Sequence, residues 1–434
     1  MKKIAIIGGG SFNFARAVAR DILSYPALSD SHIALADIPD GLKYMQASEK
    51  IIRKIIDQGN YPAKVTATLD RREALRDADA VVITIRNDTT VPKWEKDLTI
   101  PKKYGVDTVI GDTRGPSGIF RFLRSAPAFR AIAEDILELC PDAVVLNYSN
   151  PMCMVTDYLR RLGVEVVGLC HSVQGTAGML ARWIGADMKD VTYTCAGINH
   201  QAFFLEYKVN GIDAYPRIFA AAEDPARYRE EAVRIEMMKA LGYFVTESSG
   251  HNSEYNAWFR KRQDLIDRYV PDSYASSVRI INERTATRDE EMEKILAQEK
   301  ISLARGNEYA SCILNALIGD GTMFEFNGNV PNTGAGLISN LPDGAIVEVP
   351  IAASKHGMRA AHMGNLPRHL AALNTVNAQC ELLAVDGLMN GDRDAVFHAV
   401  LNDPLTAAVC SLAEIRAMTD EMFEANREEL PMFR

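Results

Sequence analysis

Six short apolar runs separated by helical stretches constrain this chain more than any other feature. "KKIAIIG", "SHIALAD", "AKVTATL", "DAVVITI", "DAVVLNYS" and "EVVGLC" all fall within the first 170 residues. Near-continuous runs of this length read as strands covered on both faces, because a strand with one face in water alternates apolar with polar residues. Between several of them, Phe14 to Ser24 and Gly118 to Leu139 carry apolar residues at helical spacing. Strand, helix and parallel strand make the βαβ unit. The N-terminal part is therefore expected to be α/β, a Rossmann-like doubly wound parallel sheet.

After "VTYTCAGINH", residues 191 to 200, the pattern changes to longer helical segments, Arg227 to Leu241, Arg288 to Ala304 and Tyr309 to Leu317, with a strand at "AIVEVP". The sequence predicts two domains, residues 1–195 for the dinucleotide-type sheet and 196–434 for an α+β domain. At 434 residues the chain exceeds the usual size of one core. No Pro/Ser-rich linker separates the halves, so they should share a fixed interface, a favoured place for ligands. The stretch "NGNVPNTGAGLISNLPDG", 327 to 344, is expected to be a long ordered loop with turns.

Composition removes several function classes. With Lys+Arg 48 against Asp+Glu 57, a net charge of -9 and no blocks of one sign, nothing suggests a nucleic-acid partner. No run approaches about 18 uninterrupted apolar residues, so no membrane span is expected. The start "MKKIAIIGGG" resembles a signal peptide only superficially, because its apolar run is cut short by glycines and reads better as a buried strand. Cysteines at 140, 153, 170, 195, 312, 380 and 410 have no paired spacing, which points to reduced thiols and a cytoplasmic setting.

In "IAIIGGGSF", residues 4 to 12, a strand enters three glycines and then a helical pattern. Such a turn lets backbone approach a pyrophosphate and aims helix amides at it, which nominates Gly8, Gly10, Ser11 and Phe12 as cofactor-binding residues. Asn13 replaces the third glycine of the motif, and a tight structural turn is the competing reading. Asp37, closing the second strand, can hold a ribose hydroxyl and would repel the extra phosphate of NADP, so NAD is the expected cofactor.

"LNYSNPM" places Asn147 and Asn150 at the C-terminal edge of the fifth strand, where open α/β sheets bind ligands, unless Asn150 merely closes a turn before Pro151. In "GLCHSV", extended neighbours face opposite ways, so Cys170 and His171 should serve separate roles. His200 in "AGINH" stands at another strand end, and Cys170 with His200 is a candidate metal site with open positions, or else both are structural. Softness alone would favour Zn or Fe for a thiolate. "TESSGHNSEYNAWF" offers His251, Glu254 and Tyr255 as proton acceptors, or a solvated loop anchored by Tyr255 and Trp258.

Taken together, "GGGS", "NYSNPM", "CHSVQGTA", "AGINH" and "GYFVTESSGHNSEYNAWF" resemble the NAD- and metal-dependent family 4 glycoside hydrolases. "NEYAS" and "ISNLPDGAIVEVP" extend the resemblance over essentially the whole chain, and "CHSV" is similar to the melibiose-type α-galactosidases within that family. The resemblance implies a lactate/malate-dehydrogenase-like fold, a homo-oligomer (dimer or tetramer) and a small-molecule α-glycoside substrate. It implies a redox-assisted elimination, an exception to the usual two-carboxylate chemistry. NAD takes hydride from C3 of the sugar, the C2 proton is removed, the C1–O bond breaks, water adds, and the hydride returns.

On the same resemblance Cys170 and His200 hold Mn2+, which displaces the softness argument. Tyr255 is the base at C2, its phenol acidified by nearby positive charge. His171 is the general acid at the C1 oxygen, and Asn150 orients sugar hydroxyls. Two stretches depart from the melibiose-type pattern, "IRNDTTVPKW" and "GDTRGPSG". Their Arg86 and Arg114 are either solvated or paired with Asp88 and Asp112, or they face the substrate and favour an anionic sugar, a uronate or sulfonate. An α-galactosidase is the leading expectation. The N-terminal half alone would also allow a malate/lactate-type hydroxy-acid dehydrogenase, and a non-catalytic NAD sensor is the third possibility.

Overall fold

The computed structural model describes residues 1–86, 91–334 and 336–433. All six apolar runs are strands: β1 (Lys3–Ile7), β2 (His32–Ala36), β3 (Lys64–Thr68), β4 (Ala80–Ile83), β5 (Val144–Asn147) and β6 (Val166–Gly168). They are parallel and lie in the order β3-β2-β1-β4-β5-β6. This is the dinucleotide-binding order, with its crevice where the order reverses beside β1. Helices Phe12–Leu23 and Leu42–Gly59 cover one face and Gly115–Leu139 the other, so both faces of the central strands are dry.

The sheet does not stop at β6. Strands β7 (Val191–Ile198), β8 (Gln201–Val209), β9 (Ile212–Asp213), β10 (Phe324–Pro331), β11 (Ile346–Ser354) and β12 (Gly357–Ala360) extend it, and the described residues form one 12-stranded sheet. Beyond β6 the order is β10-β11-β7-β8-β9, with β12 on β11. A single antiparallel pair, Asn329 opposite Gly168, joins β10 to β6, and another, Glu348 opposite Gly197, joins β11 to β7. The boundary expected at residue 195 falls inside β7, and the sheet passes through it.

Two segment expectations change. The presumed loop at 327 to 344 begins as strand, because β10 pairs residue by residue with β11 from Phe324 to Pro331. Gly328 permits this close layer: a Cβ there would come within 2.8 Å of Ile351 and Phe326 side-chain atoms. The loop proper is ordered by Asn332, whose Nδ2 donates to the carbonyls of Ile338, Leu341 and Pro342 at 3.1, 3.2 and 3.1 Å. The helix expected over 288 to 304 instead spans Ser276–Leu296. Its C-terminal side is drawn out of helix where Lys54 and Gln58 take the carbonyls of Gln298 and Glu299.

The C-terminal helices Arg368–Asn390, Arg393–Asn402 and Leu412–Ala425 return to the N-terminal half and share its core. Phe423 meets Phe120 edge-on with ring centroids 5.0 Å apart. All cysteines are unpaired, and no helix among the described residues is long and apolar enough to cross a membrane.

Candidate active site

At the end of β1 the glycine turn is crowded by backbone. Gly8 has φ +101°, and a Cβ there would lie 2.6 Å from Thr84 Oγ1 and 2.8 Å from the Thr84 carbonyl carbon. Gly8 and Gly9 both donate to the Ala36 carbonyl. The Gly10 N–H donates to Asp37 Oδ2 at 2.5 Å, and Ile38 N–H to the other oxygen at 2.8 Å. A Cβ on Gly10 would sit 2.7 Å from that carboxylate. Ser11 turns its hydroxyl back to the Gly8 carbonyl, leaving helix Phe12–Leu23 without a side-chain cap at its N-terminus. Close backbone, an uncapped helix start and a carboxylate at the tip of β2 fit a dinucleotide. Phe12 buries its side chain in the core, 5% exposed, so it belongs to the turn through its backbone, whose N–H donates to the Gly10 carbonyl at 2.8 Å.

At the same edge, beyond the C-terminal end of β6, ligand atoms of Cys170, His200 and Glu247 lie within 4.8 Å of one another. β6 ends at Gly168, so Cys170 and His171 sit in the turn before helix Ser172–Trp183, not in extended chain. Their side chains do diverge, but because the chain is turning into a helix and not by strand alternation. His200 closes the two-residue turn between β7 and β8 with φ +62°, and Glu247 has φ +65°. Left-handed backbone at non-glycine residues is held by its surroundings, and two of these three donors have it. Glu247 was not singled out from the sequence. Its one signal was its place inside the quoted "TESSGHNSEY" block, just before the Ser248 cap of helix Ser249–Glu254.

His200 Nε2 faces Glu247 Oε2 at 3.5 Å, while Nδ1 lies 3.1 Å from the Tyr255 hydroxyl and 3.4 Å from Thr113 Oγ1. Burial lowers the imidazole pKa to about 4, so the ring is neutral, as a ligand must be. Burial, then the Glu247 and Glu348 carboxyls, push the Cys170 thiol up. Burial alone would raise Glu247, but the charged His251 beside it, itself held protonated by Asp112 and Glu247, outweighs that and keeps the carboxyl below its usual range. A thiol, an imidazole and a carboxylate in a locally acidic setting fit a divalent cation.

One loop brings the remaining groups together. Glu254 accepts the N–H groups of Val109, Ile110 and Gly111 at 2.7, 2.9 and 3.1 Å. That cup places Asp112 3.4 Å from His251 Nε2 and 3.3 Å from Asn150 Nδ2, with His251 Nδ1 3.3 Å from Glu247. Asn150 thus turns toward the cluster, beside Asp112. The 246 to 259 block is no solvated loop: His251, Glu254 and Tyr255 are enclosed, and only Trp258 is exposed.

Arg114 departs from expectation most. It is 5% exposed, pairs with Glu381 at 2.9 Å and donates to the Asn199 carbonyl at 2.7 Å, so it is neither solvated nor the partner of Asp112. Its Cζ lies 4.7 Å from the centre of the fully buried Tyr255 ring. Here is the positive charge expected near the phenol. Burial, Glu254 and Asp112 outweigh it and push Tyr255 well above the usual tyrosine range. Arg86 is exposed at the end of β4, with Cζ 5.9 Å from the Trp94 ring centre; Asp88 lies outside the described residues.

His171 points away from the cluster. Its Nε2 is 3.0 Å from Glu308 Oε2, its ring stacks on Tyr148 at 5.6 Å, and its side chain is 46% exposed. The adjacent Tyr309 hydroxyl donates to the Cys170 carbonyl at 2.6 Å. The "NEYAS" segment therefore grips the Cys170-His171 turn from both sides.

The profile described as Family 4 glycosyl hydrolase matches residues 3–186, and that of the Family 4 glycosyl hydrolase C-terminal domain matches residues 195–406. The chain is 38% identical to an α-galactosidase of Bacillus subtilis (strain 168), with 100% of both chains covered. It is 36% identical to an α-galactosidase of Rhizobium meliloti (strain 1021), covering 99% of this chain and 89% of that one. A 6-phospho-α-glucosidase from gut microorganisms, solved in complex with NAD and Mn2+, shares the fold with TM-score 0.83 at 21% identity, covering 99% and 98% of the two chains. The lactate/malate-dehydrogenase-like architecture is thereby borne out. This chain belongs to the family 4 glycosyl hydrolases.

Proposed function

We propose that this glycoside hydrolase acts on neutral α-galactosides such as melibiose, with NAD and Mn2+ as cofactors. The observation that carries the reading is the gathering of Cys170, His200 and Glu247 donor atoms within 4.8 Å, on a sheet whose β1 end is built for a dinucleotide. When bound, NAD supplies a hydride acceptor for C3 of the sugar, and the metal supplies Lewis-acid polarisation of the C3 oxygen.

Cys170, His200 and Glu247 would hold the ion, and Gly8, Gly10 and Asp37 the dinucleotide. Asn150, fixed by Asp112, orients sugar hydroxyls. Tyr255 takes the C2 proton, which a neighbouring ketone makes acidic, with Arg114 beneath its ring and His200 Nδ1 at its oxygen. His171, held by Glu308, protonates the departing C1 oxygen. Water then adds at C1, and Tyr255 returns a proton to C2.

The sugar reading rests on charge. Arg114 is tied to Glu381 and the buried Arg234 to Glu231, while Asp112 and Glu247, both held below the usual carboxylate range, flank the cluster. A uronate or sulfonate would meet that acidity, whereas a neutral galactoside would not. Family membership sets aside the hydroxy-acid dehydrogenase. A homo-oligomer, dimer or tetramer, is the assembly we infer, and the cytoplasm the setting, because oxidised Cys170 could not ligate.

The test is hydrolysis of 4-nitrophenyl α-galactoside and α-galacturonide with NAD, Mn2+ and reductant, each component omitted in turn. Neutral substrate should be preferred and every omission should abolish turnover. Full activity after exhaustive removal of NAD and metal, or preference for the uronide, would overturn the reading.

A further inference from the structure

The glycine turn is gripped from the other half of the chain. Arg288, on helix Ser276–Leu296, donates from Nη2 to the Gly10 carbonyl at 2.7 Å, and its Cζ lies 3.3 Å from the Tyr44 ring centre. The next residue, Asp289, accepts from Lys43 Nζ at 2.6 Å and the Tyr44 hydroxyl at 3.0 Å. Gly10 is thus held on both sides of its α-carbon, its N–H by Asp37 and its C=O by Arg288.

Arg288 differs from other arginines close to functional groups. Arg114 and Arg234 are each paired to a carboxylate, but Arg288 makes no ion pair among the described residues, and Asp289 beside it is taken by Lys43. A guanidinium carries five N–H donors, of which the Gly10 carbonyl takes one. Stacking on Tyr44 fixes its plane, so little side-chain freedom remains to be lost on binding. The result is a half-buried, oriented positive charge, in no ion pair among the described residues, against the third glycine of a turn that admits a pyrophosphate.

We propose that Arg288 binds the adenosine diphosphate part of NAD, through charge-assisted hydrogen bonds to phosphate oxygen. The inference rests on the cofactor reading above. It makes the dinucleotide site a joint product of both halves of the chain: β1 and β2 shape the turn, and the helix at 276–296 supplies the cation.

The test measures binding, not turnover. NAD and ADP-ribose, which has the diphosphate but no nicotinamide, are titrated calorimetrically into the full chain and into R288A, R288Q and R288K. R288Q removes the charge and leaves a neutral amide donor on the same helix face. Both dissociation constants should rise about ten- to a hundredfold in R288A and R288Q, the scale of a lost charge-assisted hydrogen bond. R288K should recover part of the loss, and Mn2+ affinity should match wild type in all three. R288Q binding both ligands within about twofold of wild type would overturn the assignment. So would an effect confined to NAD, with ADP-ribose binding unchanged. A wild-type chain that binds neither ligand would overturn the cofactor reading itself.

Discussion

The Tyr255 hydroxyl lies 3.1 Å from Nδ1 of His200, on the ring edge away from the nitrogen that faces Glu247. One imidazole therefore connects the metal-ligand cluster to the proposed base. When Nε2 is engaged, the ring's proton must reside on Nδ1, where it is donated to the phenol oxygen and favours the phenolate. Tyr255→Phe keeps the ring over Arg114 and removes only the oxygen. Turnover should fall roughly a hundred- to ten-thousand-fold, the usual range for loss of a general base, with Mn2+ and NAD binding retained. Run in D2O, the rate at which deuterium enters C2 should fall in step with turnover. Wild-type incorporation in the variant would remove Tyr255 from the role.

Glu247 is expected to be a metal ligand, not simply a partner of His251. Glu247→Gln preserves size but loses the anion, and Mn2+ affinity, read from the free-ion paramagnetic signal, should weaken by about tenfold or more. Cys170→Ser should weaken it too, and oxidation of the wild-type thiol should mimic that variant and reverse with reductant. Unchanged affinity in Glu247→Gln would leave a two-residue site.

What the sequence revealed and what it concealed divide along physical lines. Strands β1 to β6 were legible because each is a short apolar run between turns, and their order follows from the βαβ crossover rule. The insertion of β10 and β11 between β6 and β7 was not legible. It rests on single pairs, Asn329 with Gly168 and Glu348 with Gly197, that leave no local period in the chain. The packing of Phe423 on Phe120 joins residues about 300 positions apart and is equally silent. Cys170 and His200 were reached because reactive residue types stood near strand ends in family motifs, and Tyr255 because it stood in the polar and aromatic block at 246 to 259. Glu247 was passed over because glutamate is common, and its left-handed backbone shows only in the fold. Arg114 was misjudged because a buried cation is identified by a partner, Glu381, that lies far along the chain.

His32 gives a pH signature remote from the cluster. Burial, then Lys64 and Lys3, lower its pKa to about 4 from an ordinary 6.5, and its Nε2 lies 2.8 Å from Thr66 Oγ1. The unfolded chain then binds more protons between those values, so this contribution is complete above 6.5 and is lost as pH falls toward 4. Melting temperature should drop across that window more steeply in wild type than in His32→Gln, which lacks this one titrating group. Parallel curves would contradict the assignment.

Glu308 is expected to act through His171. Its carboxylate accepts the histidine at 3.0 Å, and its own backbone N–H is fixed by buried Asp21 at 3.2 Å, which also takes the Gly306 N–H at 2.8 Å. A carboxylate on Nε2 sets which way the ring faces and leaves Nδ1 for the substrate. Losing that partner should cost about ten- to a hundredfold, as when a group orienting a histidine is removed. The loss should depend on the leaving group. A sugar alcohol leaves C1 only when protonated, whereas 4-nitrophenolate leaves unaided, so Glu308→Gln should slow melibiose strongly and the nitrophenyl galactoside little. The measurement is the ratio of kcat/KM for the two substrates, compared with His171→Asn, which should show the same skew. Equal losses on both substrates would mean that Glu308 supports the fold of the turn and not the departure of the aglycone.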